Sequence, residues 1–133
     1  MEPTSDAPSA RLVALGDDQR MTHVAIVGSL DLAGSQAIEA AVAAHILSQR
    51  RPTIIELDGL TFIASLGIGV LVGASRTIRS RSLPFVLVGP RPEVDAVLRG
   101  ARLHQIMHIV ATRAEALAIV AAARAPSGDD TAT

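Results

Sequence analysis

The residues with the most chemical potential lie in "FIASLGIGV", residues 62–70, which reads as a strand running into a tight turn and then a helix. A helix N-terminus carries open N–H donors and a partial positive charge. It therefore receives an anion, a phosphate or a reactive hydroxyl well. Ser65 stands at the apex, just before the helix, where a serine caps the first turn and contributes about 1 kcal/mol. The known catalytic frames around such a turn are missing. With no lysine in the chain there is no G-x-x-x-x-G-K-S/T loop, and Gly67, Gly69 and Gly73 lack the G-x-G-x-x-G spacing. Ser65 lies between Ala64 and Leu66, so it is no G-x-S-x-G elbow.

The histidines add little. His104 and His108 fall on a segment that reads as loop and strand, with no acidic pair beside them. His45 sits at the boundary of the first helix and His23 in a hairpin. The absence of cysteine excludes disulfides and thiolate metal sites. The pattern is that of a binding module, with no enzyme activity, metal or cofactor expected.

The elements that position this turn follow from hydrophobic periodicity. "RLVALGD" and "THVAIVGSL" read as an antiparallel hairpin. A helix follows with the stripe Ile38, Val42 and Ile46, and Ser35 is placed to cap it. "TIIEL" and "PFVLVGP" are near-continuous apolar runs, as expected of central strands buried on both faces. The helix after the turn has Val70 or Leu71, Ala74 and Ile78 inward, and Gly69 and Gly73 read as points of close approach to the sheet. Pro92 opens a third helix with the stripe Val94, Val97 and Leu98. "HIVA" is a last short strand, and Thr112 with Glu115 forms a capping box for a terminal helix carrying Leu117 and Val120 or Ala121. The order β-β-α-β-α-β-α-β-α gives an α/β fold, a mixed sheet flanked by about four helices. The domain spans residues 10–124, between tails at 1–9 and 125–133 whose Pro, Ser, Asp and Thr content suggests disorder.

Composition narrows the function classes. The chain has 133 residues and is 49% hydrophobic but only 2% aromatic, so its core is built from Ala, Val, Ile and Leu. The N-terminus has no signal-peptide pattern, and the apolar run at 66–74 is far short of the ~20 residues that span a bilayer. A cytoplasmic protein is expected, without membrane insertion. All 12 basic residues are arginine, four against eight acids in residues 1–65 and eight against three in 66–124. A net charge of −1 and so few aromatics argue against nucleic acid as a partner.

"GSLDLAGS", "IIELDGLTFIASLGIGVLVGA" and "PFVLVGPRPEVDAVLRGARLHQIMHIV" together resemble the STAS domain of bacterial anti-sigma factor antagonists, over residues 11–122. The resemblance implies a protein that binds an anti-sigma factor of the serine-kinase type and so frees its sigma factor. It also implies a switch, phosphorylation of a Ser or Thr in a D-S-S/T-G turn, which adds nearly two negative charges and breaks the complex. On that motif Gly67 matches the glycine and Ser65 the first serine. The acceptor falls on Leu66, which has no hydroxyl, and the leading Asp on Ala64. Ser65 is the one neighbouring candidate for phosphorylation, displaced by a residue. Asp31 matches the acid that closes the second strand, and Glu56 replaces a usual Asp. The implied contact surface comprises Ser29, Asp31, Ser35, Ala64, Ser65, Leu66, Gly67, Ile68 and Arg76. A STAS accessory subunit of a lipid or anion transporter, gripping its ATPase or permease, is the alternative. A small-ligand or nucleotide sensor, motivated by the donors at the helix start, is a third class, and a homodimer is compatible with each.

Overall fold

The computed structural model describes residues 9–16 and 20–124; the tails read at 1–9 and 125–133 lie outside these, Ser9 excepted. The hairpin forms as expected, with β1 (Ala10–Ala14) antiparallel to β2 (Thr22–Leu30). Then come α1 (Leu32–Val42), prolonged by a π-helical turn (Ala43–Leu47), and β3 (Thr53–Glu56). A strand that the sequence order did not count, β4 (Leu60–Ile63), leads directly into α2 (Ser65–Ser80). The chain continues through β5 (Phe85–Val88), α3 (Pro92–Gly100), β6 (His108–Val110) and α4 (Arg113–Arg124).

The result is one six-stranded mixed sheet in the order β1-β2-β3-β5-β6, with β4 paired to β2. After the hairpin every pairing is parallel. The nine-residue β2 uses one edge twice. Its first half, Thr22–Ala25, pairs with β3, and its last residues, Gly28–Leu30, pair with β4 across a register shift at Gly28/Ser29. Gly28 makes the shift possible, since it adopts φ +104° and a Cβ there would lie 2.2 Å from the Ser9 carbonyl.

The two faces are unequal. α1, α2 and α3 cover one side, where Ile38, Ile46, Leu71, Ile78, Val94 and Leu98 pack on Ile26, Ile55 and Leu87. β3 and β5 are buried on both faces, as their unbroken apolar runs predict. Among the described residues, α4 alone of the helices covers the other side, through Ala116 and Val120 against Ile54, Val86 and Val88. Two expected stripe members fall outside their cores: Val97 and Leu117 are exposed. Gly69 and Gly73 do not approach the sheet either, because a Cβ at either position would meet nothing within 4 Å.

Since α4 buries so little, polar contacts hold its start. The Thr112–Glu115 capping box forms in both directions, with the Thr112 amide on Glu115 at 3.0 Å and the Glu115 amide on the Thr112 hydroxyl at 3.2 Å. Arg113 Nε donates to Glu56 Oε2 at 2.5 Å, and His23 Nε2 shares that oxygen at 2.7 Å. One nearly buried carboxylate thus ties β2 and β3 to α4. The bond from Arg113 holds the Glu56 carboxyl below its usual range; burial opposes this and His23 reinforces it.

Glu56 therefore contributes stability that is full above the ordinary carboxylate range and is lost as pH falls through its lowered native value. Glu56→Gln should cost about 1–2 kcal/mol at neutral pH, the lower end reflecting solvent around the half-exposed Arg113. In denaturant titrations the gap between the two proteins should close on acidification. A gap independent of pH would show that the carboxylate charge contributes nothing.

Candidate functional site

The quoted turn sits where β2 and β4 end and α1 and α2 begin. The Leu30 carbonyl, last in β2, uses both its lone pairs. It accepts from the Ala64 amide at 2.9 Å and from the Ser35 hydroxyl at 3.2 Å. The helix starts are also pressed against the strand. A Cβ on Gly34 would lie 2.0 Å from the Ser29 carbonyl. A Cβ on Gly67 would meet Leu30 Cβ at 2.9 Å, Ser35 Oγ at 3.1 Å and Ile63 Cγ1 at 3.2 Å. Both positions need glycine for want of space, although neither has a positive φ.

The capping expectations are corrected here. Asp31, and not Ser35, caps α1: its extended backbone lets Oδ1 accept the Gly34 amide at 2.8 Å. Ser35 is fully buried, so it braces the turn from within and offers no surface to a partner. Ser65 does not cap α2 either. Ala64 occupies the cap with no side-chain bond, and Ser65 is the exposed first residue of the helix. The start of α2 consequently keeps its dipole and its amides without a capping side chain.

Of the expected contact residues, Ser29, Asp31, Ala64, Ser65, Leu66 and Ile68 are exposed or half-buried around this end, and Gly67 lies beneath them. Arg76 is exposed but stands eleven residues beyond Ser65 on α2, about 16 Å along the axis, and does not share the turn. The structure adds two residues that sequence reasoning missed. Leu32, first in α1, is 65% exposed, and Phe62, paired with Ser29 in β4, is 51% exposed. With Leu66, 41% exposed as the second residue of α2, they place three large apolar side chains at one end of the sheet. Phe62 was legible as the strand residue that enters the turn, but its exposure depends on the pairing of β4 with β2, which the sequence order did not count. Among the described residues no group of His, Asp and Glu is arranged to hold a metal ion, and no helix is long and apolar enough to cross a membrane.

A parallel sheet with its hairpin at one end, three helices on one face, and two helix starts clasping the end of β2 define the class. The chain belongs to the STAS domain family, whose model matches residues 14–116. Its fold is shared with solved anti-sigma factor antagonists. SpoIIAA in its unphosphorylated form is 26% identical, with a TM-score of 0.65 over 85% of this chain and 96% of that one. The Bacillus cell fate determinant SpoIIAA in its phosphorylated form is 23% identical, with a TM-score of 0.60 over 84% and 98%. An anti-sigma factor antagonist from Mycobacterium paratuberculosis is 21% identical, with a TM-score of 0.75 over 85% and 95%. No curated protein sequence matches the chain.

The three glycines of α2 separate packing from helix propensity. Gly69→Ala and Gly73→Ala should each stabilise the protein by about 1 kcal/mol, because nothing opposes the added methyl. Gly67→Ala should destabilise by about 1–3 kcal/mol as Leu30, Ser35 and Ile63 are displaced. Denaturant midpoints check the order, and a stabilised Gly67→Ala would mean that the clasp is not tight.

Proposed function

We propose that the chain is an anti-sigma factor antagonist that binds a serine-kinase-type anti-sigma factor through the end of the sheet carrying Asp31 and Ser65–Ile68, and so releases the bound sigma factor. It acts by binding, with no chemistry of its own. The observation that carries the reading is the exposure of Leu66, an apolar side chain, on the position where the resemblance puts the family's phosphoacceptor. A kinase needs an oxygen nucleophile, which Leu66 lacks. SpoIIAA, a relative of this fold, exists in unphosphorylated and phosphorylated forms. This chain keeps the surface while lacking that hydroxyl, so it stays competent for binding. Leu66, with Leu32 and Phe62 at the same end, supplies apolar area, and Asp31 and the uncapped start of α2 supply polar direction.

Leu66→Glu tests the reading, because it places a charge where the phosphorylated family state carries one. In a pull-down from native cytosol, wild type should capture a serine-kinase-like protein, and a folded Leu66→Glu should hold it at least about tenfold more weakly. The intact mass of the bait should show no added phosphate. Retained affinity in the folded variant would remove this turn from the interface. A transport ATPase or permease captured in place of the kinase would replace the reading, and phosphate mapped to Ser65 would end the claim that the turn is unswitched.

A further inference from the structure

The charges of the molecule sort by pole. α1, α2 and α3 each return to a parallel strand at the pole opposite the clasp, through residues 48–52, 81–84 and 101–107. These three connections carry Arg50, Arg51, Arg81, Arg102 and His104, and no Asp or Glu. Arg79, in the last turn of α2, adds a fifth arginine. The clasp pole instead holds Asp31 and Asp58 in its connections, and Glu93, Asp95 and Glu115 in the first turns of α3 and α4. Helix C-termini face the basic pole, and their partial negative charge favours basic side chains there. That accounts for Arg79 and Arg81, whose guanidinium groups donate to main-chain carbonyls. Arg79 donates to Ile106, and Arg81 to Leu47 at 2.9 Å and to Gln49 at 3.0 Å. These bonds stitch the three connections together and leave both charges without an anion. Arg50, Arg51 and Arg102 have no carboxylate partner among the described residues. Arg102 moreover stands at φ +65°, in left-handed backbone after the end of α3 that ordinarily goes to glycine. Residues 16–21 and 124–133 each bring two Asp and one Arg by sequence, too few acids to cancel the five arginines wherever they lie.

We propose that this pole docks on the surface of an anionic lipid bilayer, with its arginines on phosphate headgroups and Ile106 among the headgroups. The guanidinium fork matches phosphate geometry. Because β3, β5 and β6 are neighbours, their connections end side by side and present charge to a plane rather than to a single ion. Ile106, 42% exposed and bonded through its carbonyl to Arg79, gives this face an apolar member, the pairing found at membrane interfaces. Nucleic acid fits less well, since base stacking needs exposed aromatics. Of the two in the chain, Phe85 is fully buried and Phe62 lies at the clasp. An anionic surface attracts the basic pole and repels the acidic one, so the docked domain holds its clasp away from the bilayer.

The test is sedimentation of the full chain with vesicles of phosphatidylglycerol and phosphatidylcholine in equal parts, beside phosphatidylcholine alone and a mixed-sequence DNA duplex. Saturable binding to the anionic vesicles is expected, absent on phosphatidylcholine and weakened by salt. Arg50→Gln and Arg102→Gly should each weaken it about fivefold, the share of one basic residue near an anionic surface. Arg102→Gly should also melt no lower than wild type, because glycine suits the left-handed backbone, so its lost binding is not lost structure. Arg91→Gln makes the same charge change at the clasp pole, beyond the nine-residue α3 of about 13 Å, and should leave binding unchanged. No binding to anionic vesicles, equal binding to phosphatidylcholine, full affinity in both pole variants, or an equal loss in Arg91→Gln would each overturn the assignment. Tighter binding to the duplex than to the vesicles would overturn it in favour of nucleic acid.

Discussion

The Leu30 carbonyl is the point on which the molecule's functional end depends. As the last acceptor of β2 it is shared by the Ala64 amide, which sets where the α2 turn begins, and by the Ser35 hydroxyl, which anchors α1. A buried carbonyl with both lone pairs engaged fixes direction as well as distance. Gly34 and Gly67 then let the two helix starts close around the strand. The exposed residues of the turn owe their placement to this clasp rather than to contacts of their own. A partner of the kind proposed would meet a preformed edge, and its binding would spend little on ordering it.

Much of the fold was legible because hydrophobic periodicity reports burial. β3 and β5 gave continuous runs where both faces are covered, and α1 with its π-helical turn gave a stripe recurring every four residues where one is. The end of β4 was read as the strand that runs into the 62–70 turn but was not counted as an element of its own, for a physical reason. Its four residues are buried only at the ends, so neither alternation nor a continuous run sets it apart from β3, and it passes into α2 through the single residue Ala64. Caps were missed because Asp31 and Ser35 both stand near one helix start, and the choice between them depends on backbone geometry that residue type does not encode. The glycines of α2 make the same point. Gly67, Gly69 and Gly73 are alike in sequence, yet only the first meets the sheet side of the clasp.

At the candidate site, the resemblance located the turn and the departure at Leu66, while the structure supplied its neighbours. Exposure of an apolar residue cannot be read from its letter. Leu30 and Leu32, two positions apart, lie at opposite extremes, one fully buried and one largely bare. On the reading proposed above, an alkyl chain at the acceptor position exchanges a site that chemistry can alter for one that only concentration and competition can, which places control on the supply of the protein and on its rivals for the partner.

The unequal faces of the sheet give the molecule two grades of order. The helix side shares one large core with β2, β3 and β5, which ties α1 and α2 to the stability of the domain as a whole. α4 rests on two buried side chains, a capping box and the carboxylate shared between Arg113 and His23. Its detachment would uncover the back of β3 and β5 while the clasp at Leu30 stayed closed. The chain can therefore lose its last helix, breathing at one pole, without giving up the surface presented at the other.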